Sequence, residues 1–434
     1  MVSCWLLAFA STAIAVATAS TPLTRVAFGS CNDQAKKQPL WPAIVARKPE
    51  LWVWLGDNIY GDYRIVNASS FVPPFPFFRD APPEMLAAKY RKQLAHPEYA
   101  KFRASTPIIG TWDDHDYGRN DGNKQYPFRK ESQTLFLDFI QEPAQSPRRQ
   151  QEGVYASHTY GEGAQAVKFI LLDVRYHKDP YGTPNGDFLG RAQWAWLEHE
   201  LATSTAAFNV IGSGVQVVPD DRWYGGENWA RFPAVRLRLL DLLLRSSAKG
   251  IVLISGDVHF AEINQVVCGD ARITEVTSSG MTHAWQQYVG VRAKLLPAWI
   301  FTLGNIFLPW HYRVDPWRFF AGLNFADIEF DWAASPPVAT FRVRDVHGAA
   351  KLEQRVVSAP MPAGASAAAT CTAPHEVHPV MYALQKLALS ATVVSLVLCV
   401  PINVILALIV LKRILVRFVF GPEKPAPIKT AKLH

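Results

Sequence analysis

Short runs of β-branched and aromatic residues alternate with longer stretches of helical periodicity through the middle of this chain. The short runs predict strands at Arg25–Phe28, Leu51–Leu55, Ile108–Thr111, Lys168–Leu172, Asn209–Ile211 and Ile251–Ile254. The longer stretches predict helices at Pro83–Leu94, Arg191–Ala202 and Pro233–Ser247. Later runs predict antiparallel strands at Ala339–Val343 and Leu352–Val357. This alternation predicts an α/β domain, and 49% hydrophobic positions in 434 residues are enough for a large core.

Two apolar segments lie at the two ends of the sequence. Residues 1–19 end in Ala17-Thr18-Ala19, small residues at the spacing that signal peptidase requires, but no Lys or Arg precedes the apolar run. We expect cleavage after Ala19, with an uncleaved anchor as the alternative. Residues 387–411 carry no charge and are long enough to cross a bilayer as a helix, and a buried core helix is the alternative.

The residues after the second apolar segment predict its orientation. Residues 412–434 contain six Lys and Arg against one Glu, which by the positive-inside rule predicts a cytosolic tail. The expected product is a single-pass type I membrane protein with a lumenal or extracellular body at 20–358, joined by a linker at 359–386 to the span at 387–411. Because the tail carries most of the formal charge of +7, charge gives no reason to expect a nucleic-acid partner.

Outside the two apolar segments, the chain has three cysteines, Cys31, Cys268 and Cys371. An odd number leaves at least one thiol for a task other than a disulfide, and we expect a body that does not depend on disulfides. Two aromatic segments, Phe71–Phe78 and Leu295–Phe320, allow two interpretations. They predict either core packing or a surface that contacts the bilayer near the tether.

Four of the predicted strands end in polar clusters. The clusters are Gly29-Ser30-Cys31-Asn32-Asp33, Gly56-Asp57-Asn58-Ile59-Tyr60, Trp112-Asp113-Asp114-His115-Asp116 and Gly256-Asp257-Val258-His259. Because sites in open α/β sheets form outside the carboxyl ends of strands, these clusters can meet in one place. Taken singly, each also fits an ordinary turn, since Gly and Asp are common turn formers. Together they supply the carboxylates, imidazole, phenol and thiol that a pair of cations needs.

The order Gly-Asp-x-x-Tyr, Asp-Asp-His-Asp and Gly-Asp-x-His resembles the metallophosphoesterase pattern as modified in the alkaline phosphatase D (PhoD-like) family. Further stretches between Arg25 and Phe330 are similar to the same family, among them Phe28-Gly29-Ser30-Cys31, Leu172-Asp173-Val174-Arg175 and Glu275-Val276-Thr277-Ser278-Ser279-Gly280. For residues 20–358 the resemblance implies a four-layer αββα sandwich with a dinuclear centre that hydrolyses phosphate esters.

The resemblance also implies a set of metal ligands. For a ferric ion they are Cys31, Asp57, Tyr60 and His259, and for a second ion that shares Asp57 they are Asp114 and Asp257. The second ion is calcium in the family's phosphatases, and manganese and magnesium also accept carboxylates. A phenolate and a thiolate suit a strongly Lewis-acidic ion, whereas oxygen ligands alone suit a hard divalent cation. A zinc site rich in histidine is disfavoured, because no histidine between the third and fourth clusters lies in a matching motif.

The expected reaction is in-line attack on phosphorus by a water or hydroxide held at the metal pair. His115 is predicted to protonate the leaving oxygen or to hold a phosphoryl oxygen, and a structural histidine is the alternative. Arg175 is predicted to bind phosphate through its planar guanidinium, and an ion pair with Asp173 or another acid is an equal alternative. His283 is similar to a family histidine near the site, whereas Asp121 is not expected to be a ligand.

The sequence therefore predicts a membrane-anchored phosphatase or phosphodiesterase that acts on a phosphate mono- or diester. One alternative is a catalytically silent surface receptor or adhesion protein on the same fold, which requires the loss of at least one ligand. Another is an enzyme with phospholipase or nuclease specificity, supported only by the aromatic segments. Because no predicted ligand is missing, the sequence favours the enzyme.

Overall fold

The computed structural model describes residues 21–65, 77–222, 226–288, 304–305, 310–362, 364, 371–375, 378–392, 394–395, 408–409 and 411. The predicted signal peptide lies outside these residues, as does more than half of the predicted membrane span. Among the residues described, we find no helix that combines the length and the apolar character needed to cross a bilayer.

The described strands are β1 (Arg25–Gly29), β2 (Leu51–Leu55), β3 (Tyr63–Ile65), β4 (Phe77–Arg79), β5 (Ile108–Thr111), β6 (Ala156–Tyr160), β7 (Val167–Leu171), β8 (Phe208–Ser213), β9 (Ile251–Ser255), β10 (Ala261–Cys268), β11 (Ala271–Ser278), β12 (Phe325–Asp331), β13 (Val338–Arg344), β14 (Ala350–Val357) and β15 (Cys371–Thr372). The helices are α1 (Trp41–Ala46), α2 (Pro83–Leu94), α3 (Pro97–Arg103), α4 (Asp114–Tyr117), α5 (Arg129–Phe139), α6 (Gly190–Ala202), α7 (Pro233–Arg245) and α8 (Trp285–Tyr288). Short 3-10 helices lie at Pro147–Arg149, Gly163–Gln165 and Trp229–Arg231. Every strand and helix that the sequence predicted between Arg25 and Val357 is confirmed, with small differences at the ends.

All these elements belong to the larger of two compact units, which contains the described residues up to 288 and those from 310 to 375. The smaller unit contains residues 304–305 and the described residues from 378 onward, of which 379–392 are helical.

Two sheets form the centre of the larger unit. The first sheet has six strands in the order β14-β13-β12-β1-β2-β5, and the second has seven in the order β15-β10-β11-β9-β8-β7-β6. Strands β1, β2 and β5 run parallel to one another, as do β7, β8, β9 and β11. Both sheets therefore combine a parallel part with antiparallel strands at an edge, which confirms the predicted mixed α/β class.

The sequence of β2 shows how the layers arise. Leu51, Val53 and Leu55 belong to an apolar cluster formed by residues of both sheets. Trp52 and Trp54 point the other way, into an aromatic cluster with residues of α1, α3 and α5. Because successive side chains of a strand face opposite sides and both sides are buried, β2 is a continuous apolar run in the sequence.

Helix α7 covers the second sheet from outside. Its leucines Leu239, Leu240, Leu243 and Leu244 form one buried stripe, which packs with residues of β8, β9 and β11. The helix begins at Pro233, and proline suits this position because the first helical N–H groups have no partner within the helix.

The expectation of a body without disulfides is wrong. Cys268, at the end of β10, is bonded to Cys371 in β15, across a sequence separation of 103. The two strands pair antiparallel with these two residues opposite each other. The two strands at this sheet edge come from segments far apart in sequence, so counting cysteines could not reveal the disulfide. Cys31 remains a free, buried thiol.

The two aromatic segments lie in large part outside the described residues. Within the second segment, Trp310 is buried, whereas Trp317 is about half exposed, at 53%. The segment therefore contributes both a core residue and a surface residue.

Candidate metal centre

Cys31, Asp57 and Asp257 occupy the same position relative to three strands, each lying two residues beyond a strand end. These three residues and His259 all have left-handed backbone conformations, with φ of 61° at Cys31, 49° at Asp57, 73° at Asp257 and 60° at His259. Such conformations are unfavourable for residues with a β-carbon and are concentrated at functional sites. Four of the predicted ligands therefore occupy constrained backbone positions.

Glycines allow the site loops to approach one another closely. A β-carbon on Gly56, where φ is +92°, would lie 2.4 Å from the β-carbon of Asp113. A β-carbon on Gly256 would lie 2.4 Å from Ser30 Oγ. Both distances are far below van der Waals contact, so the Gly-Asp pairs at the ends of β2 and β9 are needed for these loops to meet.

Four of the predicted ligands form one cluster. The Cys31 thiol donates to Asp57 Oδ2 at 3.3 Å, and the Tyr60 hydroxyl donates to the same oxygen at 3.2 Å. Tyr60 Oη also lies 2.9 Å from His259 Nε2. The ring of His283 lies 4.3 Å from the ring of His259 and 4.8 Å from that of Tyr60, centroid to centroid. The structure thus brings together a thiol, a carboxylate, a phenol and an imidazole, with a second imidazole beside them.

A second cluster adjoins the first through Asp57. Ligand atoms of Asp57, Asp114 and His115 all lie within 4.8 Å of one another, and so do those of Asp113, Asp114 and Asp257. Asp114 belongs to both groups. The three carboxylates predicted for the second ion therefore lie in two overlapping groups, and Asp113, which the sequence did not assign, joins them.

The electrostatics of these groups favour a bound cation. Burial raises the pKa of Cys31, Asp57 and Asp257 well above their ordinary values, and neighbouring carboxylates add to each effect. Asp57 Oδ1 and Asp113 Oδ2 are buried and accept no hydrogen bond from the described residues. Buried carboxylates with unsatisfied oxygens are costly unless a charge of opposite sign compensates them. The donor set therefore fits metal ions.

His115 is almost fully buried and lies among acids. Its Nδ1 is 2.8 Å from Asp62 Oδ1, and its ring lies 4.1 Å from the ring of Tyr60. Burial lowers the pKa of His115, but the charges of Asp114, Asp62 and Asp57 outweigh it and raise this pKa well above its ordinary value. Asp62 was missed by sequence reasoning, although it follows Asp57 by only five positions in the same loop.

Arg175 is fully buried and pairs with two acids. Its Nε donates to Asp113 Oδ1 at 2.5 Å, and its Nη1 lies 2.5 Å from Glu227 Oε2. Asp173 instead accepts the backbone N–H of Arg175, at 2.8 Å. The predicted alternative of an ion pair is therefore observed, with Asp113 and Glu227 as the acids. Nη2 has no hydrogen-bond partner among the described residues.

Two further acids were not predicted as ligands. Ligand atoms of Asp114, Asp121 and Glu227 lie within 4.8 Å of one another, so Asp121 belongs to a group that can hold a cation. Glu227 also accepts hydrogen bonds from the amine of Lys178 and, at 2.6 Å, from the hydroxyl of Tyr181. It follows neither a predicted strand nor a motif, so the sequence carried no signal for it.

The fold is a mixed α/β architecture in which acids, histidines and a thiol, a donor set that fits metal ions, meet near the carboxyl ends of strands. A family model described as PhoD-like phosphatase matches residues 26–289. The chain belongs to this family, whose members are metal-dependent hydrolases acting on phosphoric esters. The resemblance seen in the sequence motifs is thereby confirmed.

Two individual proteins are similar to this chain. Alkaline phosphatase D of Bacillus subtilis (strain 168) is 25% identical over 287 residues, which are 56% of this chain and 46% of that protein. The present chain thus spans less than half the length of this relative. A solved structure described as PhoD has the same fold, with a TM-score of 0.53 and 17% identity over 80% of this chain and 74% of that one.

Proposed function

We propose that this protein hydrolyses phosphate esters at a centre of two metal ions. The observation that carries the proposal is the convergence of Cys31, Asp57, Tyr60 and His259, whose donor atoms form a chain of contacts between 2.9 and 3.3 Å. These side chains come from loops after β1, β2 and β9, and thus from both sheets. Membership of the PhoD-like family supports the same activity.

The chemistry of the donors supports a ferric ion and a calcium ion. Cys31, Tyr60, Asp57 and His259 would hold the ferric ion, because thiolate and phenolate favour a strongly Lewis-acidic metal. Asp57, Asp114 and Asp257 would hold the second ion, for which manganese and magnesium are alternatives. When bound, two such ions supply the positive charge that stabilises the attacking and leaving oxygens of an in-line displacement at phosphorus.

His115 is the proposed proton donor to the leaving oxygen. Asp62 engages Nδ1 at 2.8 Å and fixes the ring, so Nε2 is the nitrogen that we assign to the transferred proton. The carboxylates around His115 raise its pKa and so favour the protonated imidazole, the state that a general acid needs. Arg175 is proposed to act on phosphate through Nη2, while its other nitrogens neutralise Asp113 and Glu227.

We also propose that the body lies outside the cytosol and is anchored through residues 387–411. The disulfide between Cys268 and Cys371 supports this location, since such bonds persist in oxidising compartments. The basic residues at 412–434 support a cytosolic tail. In intact cells, protease added outside should remove the body and leave an epitope at the C-terminus protected, and the reverse pattern would contradict this orientation.

The metal assignment is tested with the full chain purified without chelator. Phenolate and thiolate on ferric iron give visible charge-transfer absorption, so Cys31→Ser and Tyr60→Phe should each shift or bleach the colour. Tyr99→Phe is the matched control, because Tyr99 is a buried tyrosine whose hydroxyl contacts Trp54. A colourless, zinc-loaded and active protein would refute the assignment of iron.

Activity is tested on the same preparation with nitrophenyl phosphate and with its diester. Hydrolysis of either that stops on chelation and returns with added metal supports the proposal, and the ratio of the two rates defines the preferred ester. A metal-loaded protein that hydrolyses neither ester, nor a phospholipid or nucleic acid, would favour a catalytically silent receptor.

A further inference from the structure

We infer that Ser279 is a positioning residue of the metal centre, whose hydroxyl group holds Cys31 and His259 in place around the same ion. The inference rests on the proposed function, because it assigns a task within that same site. It concerns a residue that contacts two ligands and is not itself a ligand.

Ser279 directly follows β11 and is fully buried. Its Oγ lies 3.0 Å from Cys31 Sγ and accepts the backbone N–H of His259 at 2.8 Å. Cys31 follows β1 of the first sheet, whereas His259 lies between β9 and β10 of the second, so the two residues are far apart in sequence. One hydroxyl therefore links the two ligands that flank Asp57 and Tyr60 in the cluster.

The single proton of the Ser279 hydroxyl determines which atom is the donor in its contact with Cys31 Sγ. A serine hydroxyl has one proton and can accept through its lone pairs. Because Ser279 Oγ accepts from His259 N–H, its own proton is available to the sulfur of Cys31. A cysteine that binds a metal is a thiolate, which accepts such a bond more strongly than a thiol does.

The hydrogen bond from His259 N–H to Ser279 Oγ also constrains the backbone conformation of His259. The φ angles of Cys31 and His259 are 61° and 60°, in the left-handed region that residues with a β-carbon adopt at a cost. The bond from His259 N–H to Ser279 fixes that residue in its unfavourable conformation. Hydrogen bonds that orient metal ligands commonly change metal affinity by about 10- to 100-fold when removed.

Two neighbouring serines differ from Ser279 in their contacts. Ser278 is equally buried, but its hydroxyl donates to Asn324 Oδ1 at 2.9 Å. Ser30 Oγ has two acceptors, Cys31 Sγ at 3.6 Å and the carbonyl of Ser278 at 3.1 Å, and it has no contact with His259 N–H, which donates to Ser279. Ser278→Ala is therefore a matched control that removes a buried hydroxyl one residue away and leaves the contact with Cys31.

The test uses the full chain, stripped of metal and titrated with Co²⁺, whose bond to thiolate gives a near-ultraviolet charge-transfer band independent of activity. Wild-type protein should show the band, and Cys31→Ala should lack it. A hydrogen bond lowers the energy of the sulfur electrons, so Ser279→Ala should move the band to longer wavelength and weaken Co²⁺ binding by about 10- to 100-fold. Ser279→Thr, which keeps the hydroxyl, should restore both properties, and Ser278→Ala should change neither.

Each other result overturns the inference in a distinct way. If Ser279→Ala shifts the band and the affinity no more than Ser278→Ala does, the hydroxyl has only a structural role. If Ser279→Ala does not fold, Ser279→Thr and Ser279→Val are compared instead, because their side chains match in shape and only threonine has a hydroxyl. Equal charge-transfer bands in these two variants would refute the inference. If wild-type protein gives no thiolate band at all, Cys31 is not a ligand and the proposed metal centre fails with the inference.

Discussion

Replacing Asp57 by Asn should make the metal-free protein more stable while it removes metal binding. Asp57 is buried against other acids, and one of its carboxylate oxygens lies within 4.8 Å of a carboxylate oxygen of Asp114. Two unit charges at that separation repel by about 3.5 kcal/mol if the effective dielectric constant is about 20. A protonated His115 in the same group offsets part of this repulsion, and protonation of Asp57, which its raised pKa favours, relieves a further part. We therefore expect a net gain of about 1–3 kcal/mol for Asp57→Asn without metal.

The assay is denaturation of both proteins in chelator and in excess metal. Added metal should raise the free energy of unfolding of the wild type with the logarithm of the ratio of metal concentration to dissociation constant. At a metal concentration 100 times the dissociation constant, the gain is about 2.7 kcal/mol. In chelator, Asp57→Asn should have a higher free energy of unfolding than the wild type, and added metal should raise that free energy only a little. Asp138→Asn provides a matched control, because Asp138 is an exposed acid, paired with Arg149, and changes at such sites stay within about 0.5 kcal/mol.

One result would refute the reasoning behind this prediction. If Asp57→Asn is less stable than wild type in chelator, the hydrogen bonds that Asp57 accepts from Cys31 and Tyr60 outweigh the repulsion. The acids would then form a self-sufficient network that needs no cation, and the electrostatic argument for the metal centre would be lost.

Three other changes test separate parts of the structure. Cys371→Ser should lower the free energy of unfolding by up to about 4–5 kcal/mol, the chain-entropy value for a closed loop near 100 residues, and denaturation with and without reductant measures it. The pKa of His158 is lowered to about 4 by burial and by Arg148, so the unfolded chain takes up this proton first as pH falls. Relative to His158→Gln, the wild type should therefore lose about 2 kcal/mol more stability between pH 7 and pH 5. Arg175→Ala should cost about 3–5 kcal/mol in urea denaturation, because Asp113 and Glu227 stay buried without their cation. An unchanged urea midpoint for Arg175→Ala would mean that these ion pairs do not stabilise the fold and that Arg175 serves to bind substrate.

Much of the fold could be predicted because most strands are buried on both faces. Such strands are continuous apolar runs, and β2, β5 and the helix α2 have the predicted bounds. The predicted strand Asn209–Ile211 is longer in the structure, where β8 spans Phe208–Ser213. The residues added at its C-terminal end, Gly212 and Ser213, are small, so their place in the sheet depends on pairing with β7 and β9 rather than on local preference.

The positions of the predicted ligands could be deduced, but their partners could not. A polar cluster after an apolar strand is visible in the sequence, and the topology of parallel strands implies that such clusters meet. Which acid faces which base depends on the exact approach of two loops. Asp62 beside His115, and Glu227 beside Arg175, are contacts of this kind, and no spacing in the sequence indicates them.

The loops that carry the metal ligands need rigid apolar layers beneath them. Four predicted ligands have unfavourable backbone angles, and several buried acids repel one another, so the metal-free loops would relax apart if the layers beneath them could yield. The aromatic cluster under the first sheet resists this, because Trp52 and Trp54 pack edge to face at 5.1 Å and Trp41 contacts both. Burial of such large side chains stabilises the fold by several kcal/mol, which offsets the strain and charge repulsion at the strand ends. The apolar layers are thus a physical precondition for the metal centre, since they keep the ligands close before any ion is bound.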